Sequence, residues 1–286
     1  TVGEHLVYPR IDYHIELTLA AFPQPLVVAA SVPAEPRNDG RSYIFDLQNA
    51  RGFALSISPD FKVLSTRSGG VEVRAYIFAE HETAGMASIE AARDAVTLFS
   101  ELYAPYPYPG LTIIEADFFD GMEFSGLFFL GADYFGAYPG SPTTYLVPLS
   151  AHETAHQWWY GLVGNDPALE PWLDEAFCTH SEALFYERYH PELVNWWWNY
   201  RIWRFLPTGK VNTTIYDEQE FRPYVDAVYL QGTRFLDEAR RAMGEDNFLA
   251  FNRDYVTRYG GRIADSAGAL ELLQAHSPKD LSALIK

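Results

Sequence analysis

Residues 151–159 read Ala-His-Glu-Thr-Ala-His-Gln-Trp-Trp, so His152 and His156 stand four positions apart with Glu153 directly after the first. On a helix a four-residue step puts both imidazoles on one face, about 5–6 Å apart at Cβ. Two neutral imidazoles at that spacing can share one zinc ion. Glu153 falls about 100° round the helix, where it can reach a zinc-bound water without ligating the metal. These residues imply a zinc hydrolase. Two blander readings compete with it. Ser150-x-x-Glu153 also fits a capping box that closes a helix end, and both histidines could be ordinary core side chains.

Hydrolytic zinc usually takes three protein ligands and leaves one position for water. Trp172-Leu173-Asp174-Glu175-Ala176 opens a second apolar-periodic stretch behind Pro171, and eighteen residues separate His156 from Glu175. That length suffices to leave one helix, turn through Gly161, Gly164, Asn165 and Pro167, and return alongside on another. Alone, Glu175 reads as a first-turn acid favoured by the helix dipole. With the histidine pair upstream it reads as the third ligand.

HExxH, eighteen residues, then Glu is the gluzincin pattern. The flanks His156-Gln157-Trp158-Trp159, Gly164-Asn165 and Trp172-Leu173-Asp174-Glu175 resemble the aminopeptidase N family of zinc metallopeptidases, which includes leukotriene hydrolase. That family carries Gly-x-Met-Glu-Asn upstream of its zinc helix, and Gly121-Met122-Glu123-Phe124 stands in the matching place. The resemblance implies that Gly121, Met122 and Glu123 belong to a substrate-binding edge strand, with Glu123 receiving the free amino terminus of a peptide. It also implies that the tyrosine of a Tyr-x-Lys-Gly segment hydrogen-bonds the tetrahedral intermediate. Tyr229-Leu230-Gln231-Gly232 matches, with Gln231 replacing the lysine. Tyr216 and Tyr224 are nearby alternatives for that role.

The chemistry of each role follows from the side chain. Zinc lowers the pKa of its bound water towards ~7 and polarises a carbonyl. Glu153 accepts the water proton as general base and passes it to the leaving amine. Tyr229 offers the oxyanion a donor, worth on the order of 3 kcal/mol at such sites. Glu123 offers an ammonium a charge-assisted hydrogen bond, which selects exopeptidase action. Glu182, seven residues after Glu175 on the same helix face, is expected to orient a ligand histidine through its other N–H. His180 and the histidines at 5, 14, 81, 190 and 276 lack metal-ligand spacing.

The net charge is −17, from 21 basic and 38 acidic residues. Nucleic-acid binding is thereby disfavoured, since its footprint is a basic stripe. The charge suits a cleft that draws in cationic peptide termini, and solubility alone would explain it equally well. Cys178 is the single cysteine, so no intrachain disulfide exists. No apolar run approaches the ~18 residues of a membrane span. The chain opens on Thr1 without a recognisable signal peptide, which suggests a trimmed or excerpted chain. Neither compartment nor oligomeric state can be read from it.

These side chains need elements to position them. Asp12–Leu19 and Val71–Tyr76 alternate as strands do, with turn clusters at residues 33–40 and 68–70. Ile89, Ala92, Val96, Phe99 and Tyr103 recur at helical spacing up to Pro105, and Leu111–Phe118 is a short apolar strand. Beyond Pro148 nearly everything reads helical. Strands first and helices later indicate an α+β chain. The resemblance implies that residues 1–77 end an antiparallel N-terminal β domain and that 78–286 form a thermolysin-like catalytic domain. The expected function is removal of N-terminal residues from peptides, with one zinc ion per chain. Two alternatives stand beside it. One is an open-cleft zinc endopeptidase, because many relatives continue beyond the point matching Lys286 into a helical domain that roofs the cavity. The other is a non-catalytic binding module that keeps its zinc.

Overall fold

The computed structural model describes residues 2–37, 40–281 and 284. Packing divides the chain into two compact units. One comprises Pro9–Thr97 and Tyr106–Gln157; the other comprises Thr1–Tyr8, Leu98–Pro105 and Trp158–Lys286. The first is rich in strands and the second is almost wholly helical, so the α+β class read from the sequence holds.

In the strand-rich unit β1 (Ile11–Thr18) pairs antiparallel with β3 (Ser42–Ala50), and β2 (Val27–Ala30) with β4 (Leu55–Ser58). The turn cluster expected over 33–40 includes residues 38 and 39, which lie outside the described residues. Strands β5 (Phe61–Ser68), β6 (Val71–Phe78), β7 (Gly110–Ala116), β8 (Gly121–Phe124) and β9 (Leu127–Gly131) form one sheet in the order β5-β6-β7-β9-β8. Neighbours β6, β7 and β9 run parallel, whereas β5 and β8 close the two edges antiparallel. A parallel return needs a crossover, and helix α1 (Glu82–Leu102) provides it between β6 and β7. Strand β6 ends at Phe78, and a turn of 3₁₀ helix over Ala79–His81 leads into this first long helix. Packing does not divide the chain there, because β7 comes back to lie beside β6.

The run Leu111-Thr112-Ile113-Ile114 is buried at every position rather than at every second one because β7 is covered on both faces. On one face Ile113 and Phe128 meet Ile89, Ala92 and Val96 of α1 and Leu149 of the later helix α3 (Leu146–Ala155). On the other, Ile114 packs with Tyr76, Leu127 and Ala29. A short helix, α2 (Ala132–Gly136), leads from β9 towards α3. Ser150 lies inside α3, its hydroxyl donating to the Leu146 carbonyl at 2.8 Å and sharing a 2.8 Å contact with Ser88 Oγ. Ser150-x-x-Glu153 is therefore no helix cap.

The helical unit contains α4 (Trp172–Tyr189), α5 (Val194–Trp197), α6 (Phe221–Val225), α7 (Gly232–Met243), α8 (Glu245–Tyr259) and α9 (Ser266–Ala275). Two stretches are wound as π-helix, Trp198–Ile202 after α5 and Asp226–Gln231 between α6 and α7. The high aromatic content is spent here on core. Phe177 of α4 stacks on Tyr255 of α8 at 5.5 Å and tilts against Trp159 at 5.0 Å. Among the described residues no helix is long and apolar enough to cross a membrane.

Candidate metal centre

Helix α3 carries the histidine pair at its C-terminal end. His152 and Glu153 lie within the last turn, and His156 is the C-cap, its N–H donating to the His152 carbonyl at 3.2 Å. The two imidazoles come together as their spacing requires, with ring centroids 4.9 Å apart and planes at 74°. Zinc–nitrogen bonds are about 2.0–2.1 Å, so rings this close can meet on one ion. All of α3 is buried, and His156 is 1 % exposed.

Edge strand β8 brings Glu123 to the same place. Its Oε1 lies 4.0 Å from His156 Nδ1, and ligand atoms of Glu123, Glu153 and His156 all fall within 4.8 Å of one another. Two buried carboxylates beside two buried imidazoles fit a divalent cation. Acids taken out of water are costly unless a positive charge compensates them.

Gly121 leaves the space that Glu153 fills. A Cβ on Gly121 would fall 2.1 Å from Glu153 Oε1 and 2.5 Å from its Cδ. The glycine is demanded by close approach, since its backbone is not in the left-handed region. Met122 and Glu123 follow on β8, paired with Phe129 and Phe128 of β9. Phe124, where the resemblance leads one to expect asparagine, packs edge-on against Phe129 at 5.9 Å.

Sequence reasoning missed Gln157, the residue after the second histidine. Its Oε1 accepts from the Gly126 amide at 2.8 Å, and its Nε2 donates to the Phe124 carbonyl at 3.1 Å. One side chain thus ties the β8–β9 turn to the end of the histidine helix. A glutamine directly after HExxH was on view, but nothing local said what its amide would meet.

Glu175 and Tyr229 belong to the helical unit. Glu175 sits in the first turn of α4, its N–H capped by Asp174 Oδ1 at 2.7 Å. The Tyr229 hydroxyl donates to the Glu175 carboxylate. Burial of the phenol, reinforced by the charge of Glu175, pushes Tyr229 well above the usual tyrosine range and keeps its proton in place as a donor. The tyrosine lies within the π-helical stretch Asp226–Gln231, a distortion common at functional positions. Gly232 makes the approach possible, because a Cβ there would fall 2.4 Å from the Ala176 Cβ of α4. Tyr224 is buried with its ring 6.1 Å from that of Tyr229, and Tyr216 is exposed. Gln231 donates to the Pro207 carbonyl at 2.9 Å and accepts from Arg234 at 2.8 Å, so a cation still sits beside this segment.

Glu4 was also missed. Its carboxyl is pushed up to about 7, first by burial and then by the charge of Glu175. Asp174 is held well above the usual carboxylate range for the same two reasons. Glu4, Asp174 and Glu175 thus form an acid cluster that a nearby positive charge would relieve. No signal in the sequence links positions 4 and 175.

Glu182, expected to orient a histidine, is buried and engaged within its own unit. Arg201 donates through Nε to Oε2 and through Nη2 to Oε1, both at 3.0 Å, and Trp197 Nε1 donates to Oε2 at 3.1 Å. These donors come from a segment that the spacing argument did not name. His180 packs edge-on against Phe248 at 5.2 Å, and burial lowers its pKa to about 3.

A buried histidine pair with an adjacent acid, at the end of a helix laid against a mixed sheet, defines the metallopeptidase class. The Peptidase family M1 domain matches residues 87–286, and the chain belongs to that family. It is 25 % identical over 268 residues to aminopeptidase N of Lactobacillus delbrueckii subsp. lactis, covering 84 % of this chain and 31 % of that protein. It is 32 % identical over 222 residues to aminopeptidase M1-A of Oryza sativa subsp. japonica, covering 71 % and 25 %. The fold matches the M1 zinc metallopeptidase from Deinococcus radiodurans with a TM-score of 0.70 at 19 % identity, over 94 % of this chain and 61 % of that one. The chain therefore spans about a third or less of the curated relatives it matches.

Proposed function

We propose that this chain carries the catalytic centre of a zinc aminopeptidase. The observation that supports this most is the buried cluster of Glu123, Glu153 and His156 within 4.8 Å, with the His152 ring edge-on to that of His156. Membership of a family whose relatives are aminopeptidases points the same way. The proposed ligands are His152, His156 and Glu175, the last on the strength of its spacing and family. One zinc ion so held would act as a Lewis acid and bring the pKa of a water at the site towards ~7. The start of the family match at residue 87 supports a catalytic domain in the later part of the chain, proposed as 78–286 after a β part in 1–77.

The residues divide the work. Glu153 takes the proton of the attacking water at a carboxylate oxygen and returns it to the departing amine, help typically worth 10²–10⁴-fold. Tyr229, holding its proton, donates to the developing oxyanion, and removing such a donor costs about 10²–10³ in rate. Glu123 receives the substrate ammonium at the edge strand, beside Gly121 and Met122. Glu4 is a second acceptor for positive charge, since a neighbouring ammonium would favour its ionised form.

The test compares one peptide with a free and with an acetylated N-terminus. Aminopeptidase action requires the free form to be cleaved and the acetylated form spared. Equal rates would make the enzyme an open-cleft endopeptidase. A Glu153→Gln variant should keep its zinc and lose at least 10²-fold in rate. A zinc-loaded wild type without turnover on any peptide would leave a binding module.

A further inference from the structure

The helical unit holds a cavity of about 220 Å³ that the proposed peptide chemistry does not use. Trp172, Phe235 and Leu270 supply apolar wall, and Lys210, Asn212 and Ser266 supply polar groups. The Trp172 and Phe235 rings meet edge to face, 5.8 Å apart. Neither Glu4, Glu175, Tyr224 nor Tyr229 lines it. We propose that this cavity is a binding site for a monocarboxylate carried on an aromatic or branched apolar body.

Size sets the body. A cavity of about 150 Å³ takes one benzene ring, and drug-sized pockets run from about 300 Å³ upward. At 220 Å³ there is room for one ring and a short acid arm.

Charge sets the head group. Among the described residues Lys210 is the one charged side chain of the lining, and it is exposed at the rim, where an anion would meet it. The carboxylate in the field of Lys210 is Asp217, whose Oδ2 is already taken by the Thr214 amide and hydroxyl, each at 2.8 Å. Ser266 Oγ accepts from Trp172 Nε1 at 2.8 Å, which leaves its own hydroxyl proton to give. The Asn212 amide adds further donors. An ammonium, a hydroxyl and an amide around an aromatic wall match a carboxylate on an apolar stem. The acid beside this wall, Glu170, is engaged through Oε1, which accepts from the Ser266 amide at 2.8 Å. Two sources carry this chemistry: a free arylalkyl acid, and the C-terminus of a peptide ending in an apolar residue.

The test is titration calorimetry of the full chain with 3-phenylpropionate, before and after metal removal by 1,10-phenanthroline. At about 0.3 kcal/mol per heavy atom the expected Kd is on the order of millimolar. Lys210→Met should raise Kd at least tenfold, Lys210→Arg should restore most of it, and 3-phenylpropanol should bind as weakly to wild type as the acid binds to Lys210→Met. Leu270→Trp, which fills the wall, should abolish binding. N-acetyl-Ala-Phe against its C-terminal amide separates the sources. A free acid is the ligand if only 3-phenylpropionate binds, and a peptide terminus if the acetylated dipeptide acid binds more tightly. No saturation by 20 mM, an unchanged Kd in Lys210→Met, or binding lost with the metal would each overturn the proposal. None of these outcomes depends on whether the zinc site cleaves peptides.

Discussion

Replacing Gly121 by alanine tests whether the glycine serves the proposed general base, Glu153, or only the strand. The new Cβ would stand 2.1 Å from Glu153 Oε1, 2.5 Å from Cδ and 3.0 Å from Cγ. Ordinary contact begins near 3.4 Å, so the carboxylate must withdraw by more than 1 Å. The obstacle is the end of a flexible side chain, and the Gly121 backbone suits any residue. The fold can therefore absorb the change at about 1 kcal/mol, the low end of overpacking costs. Catalysis cannot, because a 1 Å misplacement of a reacting group costs about 10²-fold, or about 2.7 kcal/mol of transition-state stabilisation. His152 and His156 are untouched, so zinc content should stay at the wild-type level.

Steady-state hydrolysis of a free-amine dipeptide substrate, with zinc analysis and a urea melt on the same preparation, reads all three quantities. Since β8 is also expected to hold substrate, the change must be repeated in a Glu153→Ala background. If the two residues act as a unit, Gly121→Ala does nothing further there, and the cycle returns a coupling close to the whole single-mutant effect. A Gly121→Ala enzyme within threefold of wild type would refute the reasoning. So would a loss of the same size in both backgrounds.

Tyr229→Phe should lower kcat by about 10²–10³ with KM little changed, since the phenol is needed only as charge develops on oxygen; a change confined to KM would assign it to substrate binding. Arg201→Met should destabilise the protein by about 3–5 kcal/mol in urea melts by stranding the buried Glu182 charge, while pairing it with Glu182→Leu should recover most of that. His180 is neutral in the fold, with its pKa lowered to about 3 against 6.5 when unfolded. The unfolded chain alone takes up this proton between those values, so the contribution of His180 is complete above pH 6.5 and falls as pH drops towards 3. The slope is about 1.4 kcal/mol per pH unit. His180→Phe should flatten that part of the pH–stability curve, and an unchanged slope would show that His180 is not its source. Chelation should abolish hydrolysis and lower Tm by several degrees, both restored by zinc, because a ligand at 1,000 Kd stabilises the native state by about 4 kcal/mol.

What could be read from the sequence follows how each position is set. His152, Glu153 and His156 lie on one helix, and the helix alone fixes the distance between the rings, so four-residue spacing was enough. The buried run of β7 and the periodic face of α1 are local in the same sense. Gly121 could be matched by likeness, but its reason lies in a side chain thirty-two positions away. Glu4 takes its raised pKa from burial and from Glu175, a partner that no local periodicity could announce. Glu182 shows a similar limit: the donors that meet its carboxylate come from Arg201 and Trp197 on a later segment, which helical spacing within α4 could not announce. The π-helical stretch at Tyr229 sets a further limit. An extra residue within a turn rotates every side chain after it by about 100°, so the direction of the phenol depends on a distortion that the hydrophobic pattern does not announce. Proposed metal ligands borne by a single helix are thus open to spacing arguments. Gly121 and Tyr229, the groups proposed to act beside them, owe their places to close approach between elements, and substitutions at those two should alter rate before they alter metal content.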